Sequence, residues 1–136
     1  MYLLETLVEL GLKETFIYAS SSSVYGNNKQ VPFRETDMVA DPASLYASTK
    51  RADELIAHTY YNLYNISSVG LRFFTVYGPY GRPDMAPFIF TDRVSNNETI
   101  RVFNHGKSQR DFTYIDDIVQ GVVHSLFIST GQPEVL

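Results

Sequence analysis

The sequence predicts an α/β fold with a parallel β-sheet, and two helix–strand pairs support this prediction. In the first pair, an amphipathic helix at Tyr2–Leu10 is followed by Gly11 and by an apolar strand at Thr15–Ala19. In the second pair, a helix at Ser44–Asn65 is followed by an apolar strand at Ser67–Phe74. Short apolar strands that alternate with helices are typical of parallel sheets whose faces are covered by helices.

The composition is that of an ordinary globular domain. The 136 residues are 44% hydrophobic and 19% charged, which is enough for one modest domain with a core. The formal net charge of −4 gives no reason to expect a nucleic-acid partner. Cysteine is absent, which excludes disulfides and thiolate metal sites, and we expect no bound metal. No apolar run approaches a membrane span, and we expect a cytoplasmic protein.

The first helix and strand lead into a run of four serines, Ser20–Ser23. Gly11 stands between helix and strand, where a left-handed residue commonly closes a helix. Four serines usually indicate a flexible polar loop. Here the run lies between an apolar strand and Val24–Gly26, which favours an ordered segment at the carboxyl end of the strand, where ligands bind in open parallel sheets.

The second helix brings a tyrosine and a lysine together. If Ser44–Asn65 is helical, with Asp41 or Ser44 as its cap, Tyr46 and Lys50 lie on one face. A neighbouring ammonium favours the phenolate form of a tyrosine, so Tyr46 is a candidate general base, and a serine could relay the proton. This spacing also occurs by chance in many helices, so the pair alone does not assign catalysis.

Shorter elements are predicted in the rest of the chain. Apolar side chains expected to pack from the second helix are Ala47, Leu55, Ile56, Tyr60 and Leu63. The later segments are an ordered loop at Tyr77–Pro87, a helix at Phe88–Asn96, a strand at Ile100–Phe103, a turn at Asn104–Lys107 and a helix from Ile115 to about Phe127. Asp116 and Asp117 open that last helix, where acidic residues favour the helix dipole.

Four motifs occur in order along the chain, and together they resemble one family. They are Ser20-Ser-Ser-Ser-Val-Tyr-Gly26, Tyr46-x-x-x-Lys50, Leu71-Arg-Phe-Phe-Thr-Val-Tyr-Gly-Pro79 and Arg110-Asp-Phe-Thr-Tyr-Ile-Asp-Asp117. The chain resembles the NAD-dependent epimerase/dehydratase family, which comprises extended short-chain dehydrogenases/reductases that act on nucleotide sugars. The segments at 81–86 and 102–106 are most similar to the UDP-glucuronate 4-epimerases.

The resemblance implies part of a Rossmann-like doubly wound parallel sheet together with part of a smaller substrate-binding lobe. Residues 1–78 would be the carboxyl-terminal part of the NAD-binding domain, and residues 79–136 part of the nucleotide-sugar lobe with a returning strand and helix. Family members begin with a strand and a Gly-x-x-Gly-x-x-Gly loop that binds the NAD pyrophosphate at a helix amino end, and the 136 residues lack this motif. We therefore expect a central segment of a longer enzyme, inactive alone. Family dimers imply a homodimer formed through helices 2–10 and 44–65.

The resemblance also assigns the catalytic and cofactor residues. In the family, NAD takes a hydride from C4 of the sugar and returns it to the other face. Tyr46 would take the proton of the C4 hydroxyl, and Lys50 would bind the nicotinamide ribose. Ser21, the third residue before Val24, aligns with the catalytic hydroxyl, and Ser22 is the second choice. The other expected cofactor contacts are Ala19, Ser20, Phe73, Thr75 and Val76, although core packing accounts for Phe73 equally well.

The expected substrate is a UDP-sugar, held partly by Ser21 and Ser22. Arg82 would pair bidentately with the carboxylate of glucuronate, or else stabilise its own loop. Arg110 would clamp the diphosphate, which suits a fork-shaped cation. The backbone at 102–103, which comprises Val102 and Phe103, would meet the uracil.

The serine run favours epimerisation over related reactions. The 4,6-dehydratases carry Asp-Glu at the positions of Ser22 and Ser23, and UDP-glucuronate decarboxylases usually carry a glutamate at the second of these. The prediction is therefore a UDP-glucuronate/UDP-galacturonate 4-epimerase segment. The alternatives are a UDP-glucose/galactose 4-epimerase or another dehydratase or decarboxylase branch, and a non-catalytic remnant or helix-mediated interaction fragment.

Overall fold

A computed structural model describes residues 2–127 and 131–136. In chain order the elements are α1 (Tyr2–Glu9), β1 (Phe16–Ser21), a 3-10 helix (Ser22–Tyr25), α2 (Leu45–Tyr64), β2 (Ser68–Phe73), β3 (Thr75–Tyr77), α3 (Ala86–Ser95), a second 3-10 helix (Asn104–Gly106), β4 (Phe112–Tyr114), α4 (Ile115–Ser125) and β5 (Glu134–Val135). They divide into two compact units, residues 1–73 with 121–136 and residues 74–120. No helix within the described ranges is long and apolar enough to cross a membrane.

The first unit is built on a three-stranded parallel sheet in the order β1-β2-β5. This arrangement confirms the predicted α/β class with a parallel sheet. Strands β1 and β2 pair over their full length, with Ser20 opposite Arg72. Gly70 lies beside Tyr18, and a Cβ at Gly70 would stand 2.6 Å from the Tyr18 ring, so a larger residue there would force this ring to shift. The β5 strand was not predicted, because two paired residues leave no detectable periodicity in the sequence.

Helix α2 covers this sheet, and its amino-terminal end follows the predicted capping chemistry. Of the two candidate caps, Ser44 is the one used, because its side chain accepts a hydrogen bond of 3.1 Å from the backbone N–H of Ala47. Asn65 closes the helix in the left-handed conformation, with φ of 58°. The α1–α2 junction is packed around a cluster of Leu4, Tyr60 and Ile66.

The prediction that Leu55 and Leu63 pack from α2 is wrong. Leu55 and Leu63 are 53% and 65% exposed. The buried residues of this helix are Ala47, Glu54, Ala57 and Tyr60. The prediction failed because it assumed that the inner face is apolar throughout, whereas a glutamate occupies its middle.

The second unit contains a two-stranded parallel sheet of β3 and β4. The tyrosines and phenylalanine of these strands pack in tilted and edge-on pairs, with ring centroids 5.5–6.3 Å apart. The predicted strand at Ile100–Phe103 is wrong, because this segment, which lies within the described residues, forms no ladder. Val102 and Phe103 are exposed there, and a strand without a neighbour is not stable.

Candidate functional site

The helix α2 presents the predicted tyrosine and lysine along one stripe. The Lys50 ammonium donates a hydrogen bond of 3.0 Å to the backbone carbonyl of Ala19, near the carboxyl end of β1. It also lies 3.4 Å from a carboxylate oxygen of Asp53. Tyr46, one turn earlier, is 54% exposed, so its ring is open to a bound molecule. Of the predicted site residues, Ala19 and Lys50 are therefore in direct contact.

The four serines have different partners. Ser20 is buried, and its hydroxyl donates a 2.6 Å hydrogen bond to Oε1 of Glu54. Ser21 caps the following 3-10 helix, because its Oγ accepts from the N–H of Ser23 at 3.2 Å and also donates to the Ser23 hydroxyl at 3.1 Å. Ser22 is the first residue of that helix and is partly buried. The run is thus ordered at the end of β1.

A buried ion pair lies beneath this stripe, and the sequence analysis missed it. Both guanidinium nitrogens Nε and Nη2 of Arg72 donate to the Glu54 carboxylate at 2.9 Å. Arg51 donates to the same carboxylate at 2.8 Å. Arg72 also donates to the Glu35 carbonyl at 3.2 Å and lies 5.0 Å from the centroid of the Tyr25 ring. Ser20, Arg51, Glu54 and Arg72 together are called the Glu54 cluster below.

The cluster keeps Glu54 and Arg72 ionised although both side chains are buried. Burial alone would raise the pKa of Glu54, but hydrogen bonds from Arg72, Ser20 and Arg51 outweigh it and hold this pKa below its usual value. Burial alone would lower the pKa of Arg72, but the hydrogen bonds with Glu54 outweigh it and raise that pKa above its usual value. The pair is therefore ionised at neutral pH.

Two sequence signals could have revealed this cluster. Glu54 follows Lys50 by four residues, as Lys50 follows Tyr46, so all three share one helical face. Arg72 interrupts an otherwise apolar strand, and a charged residue within a buried strand usually has a buried partner. Arg72 was considered only as part of the motif at Leu71–Pro79, and Glu54 was not considered.

The remaining predicted cofactor residues lie at or after the end of β2. Phe73 is the last residue of this strand and is partly buried. Thr75 and Val76 belong to β3 in the second unit and are also partly buried. Their proposed contact with a cofactor remains a prediction.

The predicted substrate residues of the second unit are exposed. Arg82 forms a two-bond pair with the Asp84 carboxylate, which includes an Nε bond of 3.0 Å. These hydrogen bonds from Arg82 lower the pKa of Asp84. Arg110 donates to the carbonyl of the preceding residue at 2.8 Å. Val102 and Phe103 are exposed in the segment between α3 and β4.

Comparisons with known proteins place this arrangement among proteins of one family. The family model described as the NAD dependent epimerase/dehydratase family matches residues 1–133. UDP-glucuronate 4-epimerase 4 of Arabidopsis thaliana is 55% identical over 127 residues, which cover 91% of this chain and 29% of the relative. Protein CapI of Staphylococcus aureus is 59% identical over 109 residues, which cover 80% of this chain and 33% of that protein. The chain thus spans about a third of the length of these relatives.

Solved structures agree with this likeness. The UDP-glucuronic acid 4-epimerase from Bacillus cereus in complex with UDP-glucuronic acid and NAD has a TM-score of 0.85 and 37% identity, covering 98% of this chain and 42% of that one. The UDP-N-acetylglucosamine 4-epimerase from Methanobrevibacter ruminantium has a TM-score of 0.87 and 27% identity, covering 99% and 44%. The predicted fold, part of a Rossmann-like doubly wound sheet, is thereby confirmed.

Proposed function

Since the chain belongs to the NAD dependent epimerase/dehydratase family, we propose that it is the proton-transfer segment of a UDP-glucuronate 4-epimerase. The reaction would interconvert UDP-glucuronate and UDP-galacturonate. The observation that carries this proposal is the contact between Lys50 and the Ala19 carbonyl, which fixes the Tyr46–Lys50 face of α2 at the end of β1. This end of a parallel strand is where open α/β sheets bind their ligands.

The residues present fit the nicotinamide half of NAD. Ala19 is exposed and has a small side chain, which leaves room for a ring beside β1. The Lys50 ammonium is already oriented there and has a third N–H group for a ribose hydroxyl beside those on Ala19 and Asp53. When bound, NAD supplies the transient oxidation at the sugar C4. Phe73, Thr75 and Val76 are the proposed further contacts.

The protein groups then handle the proton of the C4 hydroxyl. Tyr46 is the proposed base that accepts this proton, and Lys50 lies one helical turn further along the same face. Ser21 is the proposed relay, because its hydroxyl lies at the strand end and is held by Ser23 rather than by a charged group. Ser22 remains the second choice.

The serine run also supports epimerisation against elimination. Loss of water or of CO₂ from a sugar calls for a carboxyl acid or base near the reacting carbons. Ser22 and Ser23 carry hydroxyls, which cannot fill that role at neutral pH. A nucleotide-sugar dehydratase or decarboxylase is therefore the weaker candidate.

The sugar carboxylate distinguishes UDP-glucuronate from UDP-glucose. Arg82 lies on an exposed loop and already binds the carboxylate of Asp84 through two hydrogen bonds. A glucuronate carboxylate could take the place of this side chain, because the fork geometry is the same. Arg110 is proposed for the diphosphate and the backbone at Val102 and Phe103 for the uracil.

Assembly and location are also proposals. Exposed leucines on α1 and α2, such as Leu3 and Leu63, support a homodimer through these helices. The division into an NAD-binding part at 1–78 and a nucleotide-sugar lobe at 79–136 remains a prediction about function. A cytoplasmic location, with which the absence of cysteine is compatible, also remains a prediction.

Thermal unfolding of the chain with added ligands tests the proposed function. We expect UDP-glucuronate to raise the unfolding temperature, more so with NAD present, and UDP-glucose to raise it less. The variants Lys50→Met and Tyr46→Phe should reduce the NAD-dependent part of the shift. No shift with UDP-glucuronate or NAD would contradict the proposal and would favour the non-catalytic alternative. An equal shift with UDP-glucose would contradict only the choice of sugar.

A further inference from the structure

The Glu54 cluster joins three elements that carry the proposed site. Glu54 comes from α2, Ser20 from β1 and Arg72 from β2, and all belong to the first unit. Glu54 and Arg72 are only 5% and 6% exposed. Ser20 and Arg72 are opposite each other in the β1–β2 ladder, so a single carboxylate reaches two neighbouring strands.

The cluster shares a helical face with the tyrosine and lysine. Lys50 lies one turn before Glu54 and Tyr46 one further turn before that, so the three side chains are spaced about 6 Å apart along the axis. Lys50 binds the carbonyl of Ala19, and Glu54 binds the hydroxyl of the next residue, Ser20. Two successive turns of the helix therefore contact two successive residues of the strand.

These paired contacts fix the helix against both sliding and rotation. A shift of α2 along its axis would break the Lys50 and Glu54 contacts together. A rotation would draw the Glu54 carboxylate away from Arg72 and leave two buried charges unpaired, which is costly. The position of Tyr46 on this helical face thus depends on a buried ion pair two turns away.

We infer that Glu54 is a positioning residue for Tyr46 and Lys50, with Arg72 as its counter-charge. The inference rests on the proposed function, since it concerns the same site. It also separates the serines, because the Ser20 hydroxyl donates to Glu54 whereas the Ser21 hydroxyl is paired with Ser23.

Nuclear magnetic resonance of the Tyr46 ring and the Lys50 side chain tests this inference without any substrate. Spectra of the chain and of the variant Glu54→Gln are compared well below the unfolding temperature. We expect the Tyr46 and Lys50 signals of the variant to move or broaden. The control Glu9→Gln removes an exposed carboxylate on α1 and should leave both signals unchanged.

A milder variant covers the case in which Glu54→Gln does not fold. Ser20→Ala removes one hydrogen bond of the cluster and keeps the ion pair, and its Tyr46 and Lys50 signals should move in the same direction by less. A merely structural role would lower the unfolding temperature of either variant and leave these signals in place, and that result would overturn the inference. Failure of UDP-glucuronate to stabilise the chain would instead count against the proposed function, because these spectra contain no ligand.

Discussion

Replacing Arg72 by methionine should be among the most damaging single changes in the first unit. Methionine fills a similar volume, but it leaves the Glu54 carboxylate buried beside only Ser20 and the partly exposed Arg51. Removing one partner of a buried pair costs about 3–5 kcal/mol of unfolding free energy. At about 3–4 °C per kcal/mol for a chain of 136 residues, we expect the unfolding temperature to fall by at least about 9 °C.

The pH dependence of this loss has a defined sign. In the parent chain the pKa of Glu54 lies below its usual value of 4.5, so its stabilising contribution is complete above that pH and is lost as the pH falls through the lowered pKa. Without Arg72, burial dominates, and the pKa of the carboxyl rises. The variant can then bind a proton at mildly acidic pH and relieve the unpaired charge. The difference in stability between parent and variant should therefore be largest near neutral pH and shrink towards pH 4.5.

Urea unfolding followed by circular dichroism at pH 7 and at pH 4.5 measures the loss of unfolding free energy and its change with pH. The matched control is Arg82→Met, which removes an exposed pair with Asp84 and should leave the free energy of unfolding nearly unchanged. A loss of unfolding free energy in Arg72→Met no larger than in this control would contradict the stabilising role of the ion pair. A difference from the parent that grows on acidification would contradict the expected pH dependence.

Three further outcomes are expected. Gly70→Ala should destabilise the first unit by about 1–3 kcal/mol in urea unfolding, since the new methyl group overlaps the Tyr18 ring; an unchanged midpoint would show that this ring moves freely. Ser44→Ala should cost about 1 kcal/mol in the same assay, because the capping bond to α2 is lost, whereas Ser44→Asp should retain most of it. In a full-length protein that turns over UDP-glucuronate, Tyr46→Phe should lower the turnover number about 10²–10⁴-fold with little change in unfolding temperature, and unchanged turnover would exclude Tyr46 as the base.

The sequence predicted those parts of the structure that depend on local chemistry. At the start of α2 the Ser44 side chain binds the N–H of Ala47, and at its end Asn65 adopts the left-handed conformation. Gly11 also adopts the left-handed conformation expected after a helix, with φ of 66°. Apolar runs likewise located β1 and β2, although only β2 is buried over most of its length.

What the sequence did not predict depends on residues distant in the chain. The Ser20–Glu54–Arg72 contacts join positions 18–34 residues apart, and no local pattern reports which charged side chains will meet. The predicted strand at 100–103 failed for the same reason, since a strand needs a neighbour as well as apolar residues. The roles of the four serines also became separable only once their partners were known.

Helix α2 has two proposed roles, the positioning of Tyr46 and Lys50 and the dimer contact, and these use different faces of the helix. Each residue advances the helix by about 100°, so Tyr46, Lys50 and Glu54 span about 80°, whereas Leu55 lies about 180° from Tyr46. The first face is fixed by polar contacts with β1 and β2, and Leu55 and Leu63 are exposed beyond it. Because the positioning contacts lie within a single chain, the geometry of Tyr46 and Lys50 does not depend on the proposed dimer. Association through the leucines could therefore change the stability of α2 without changing which residues face the end of β1.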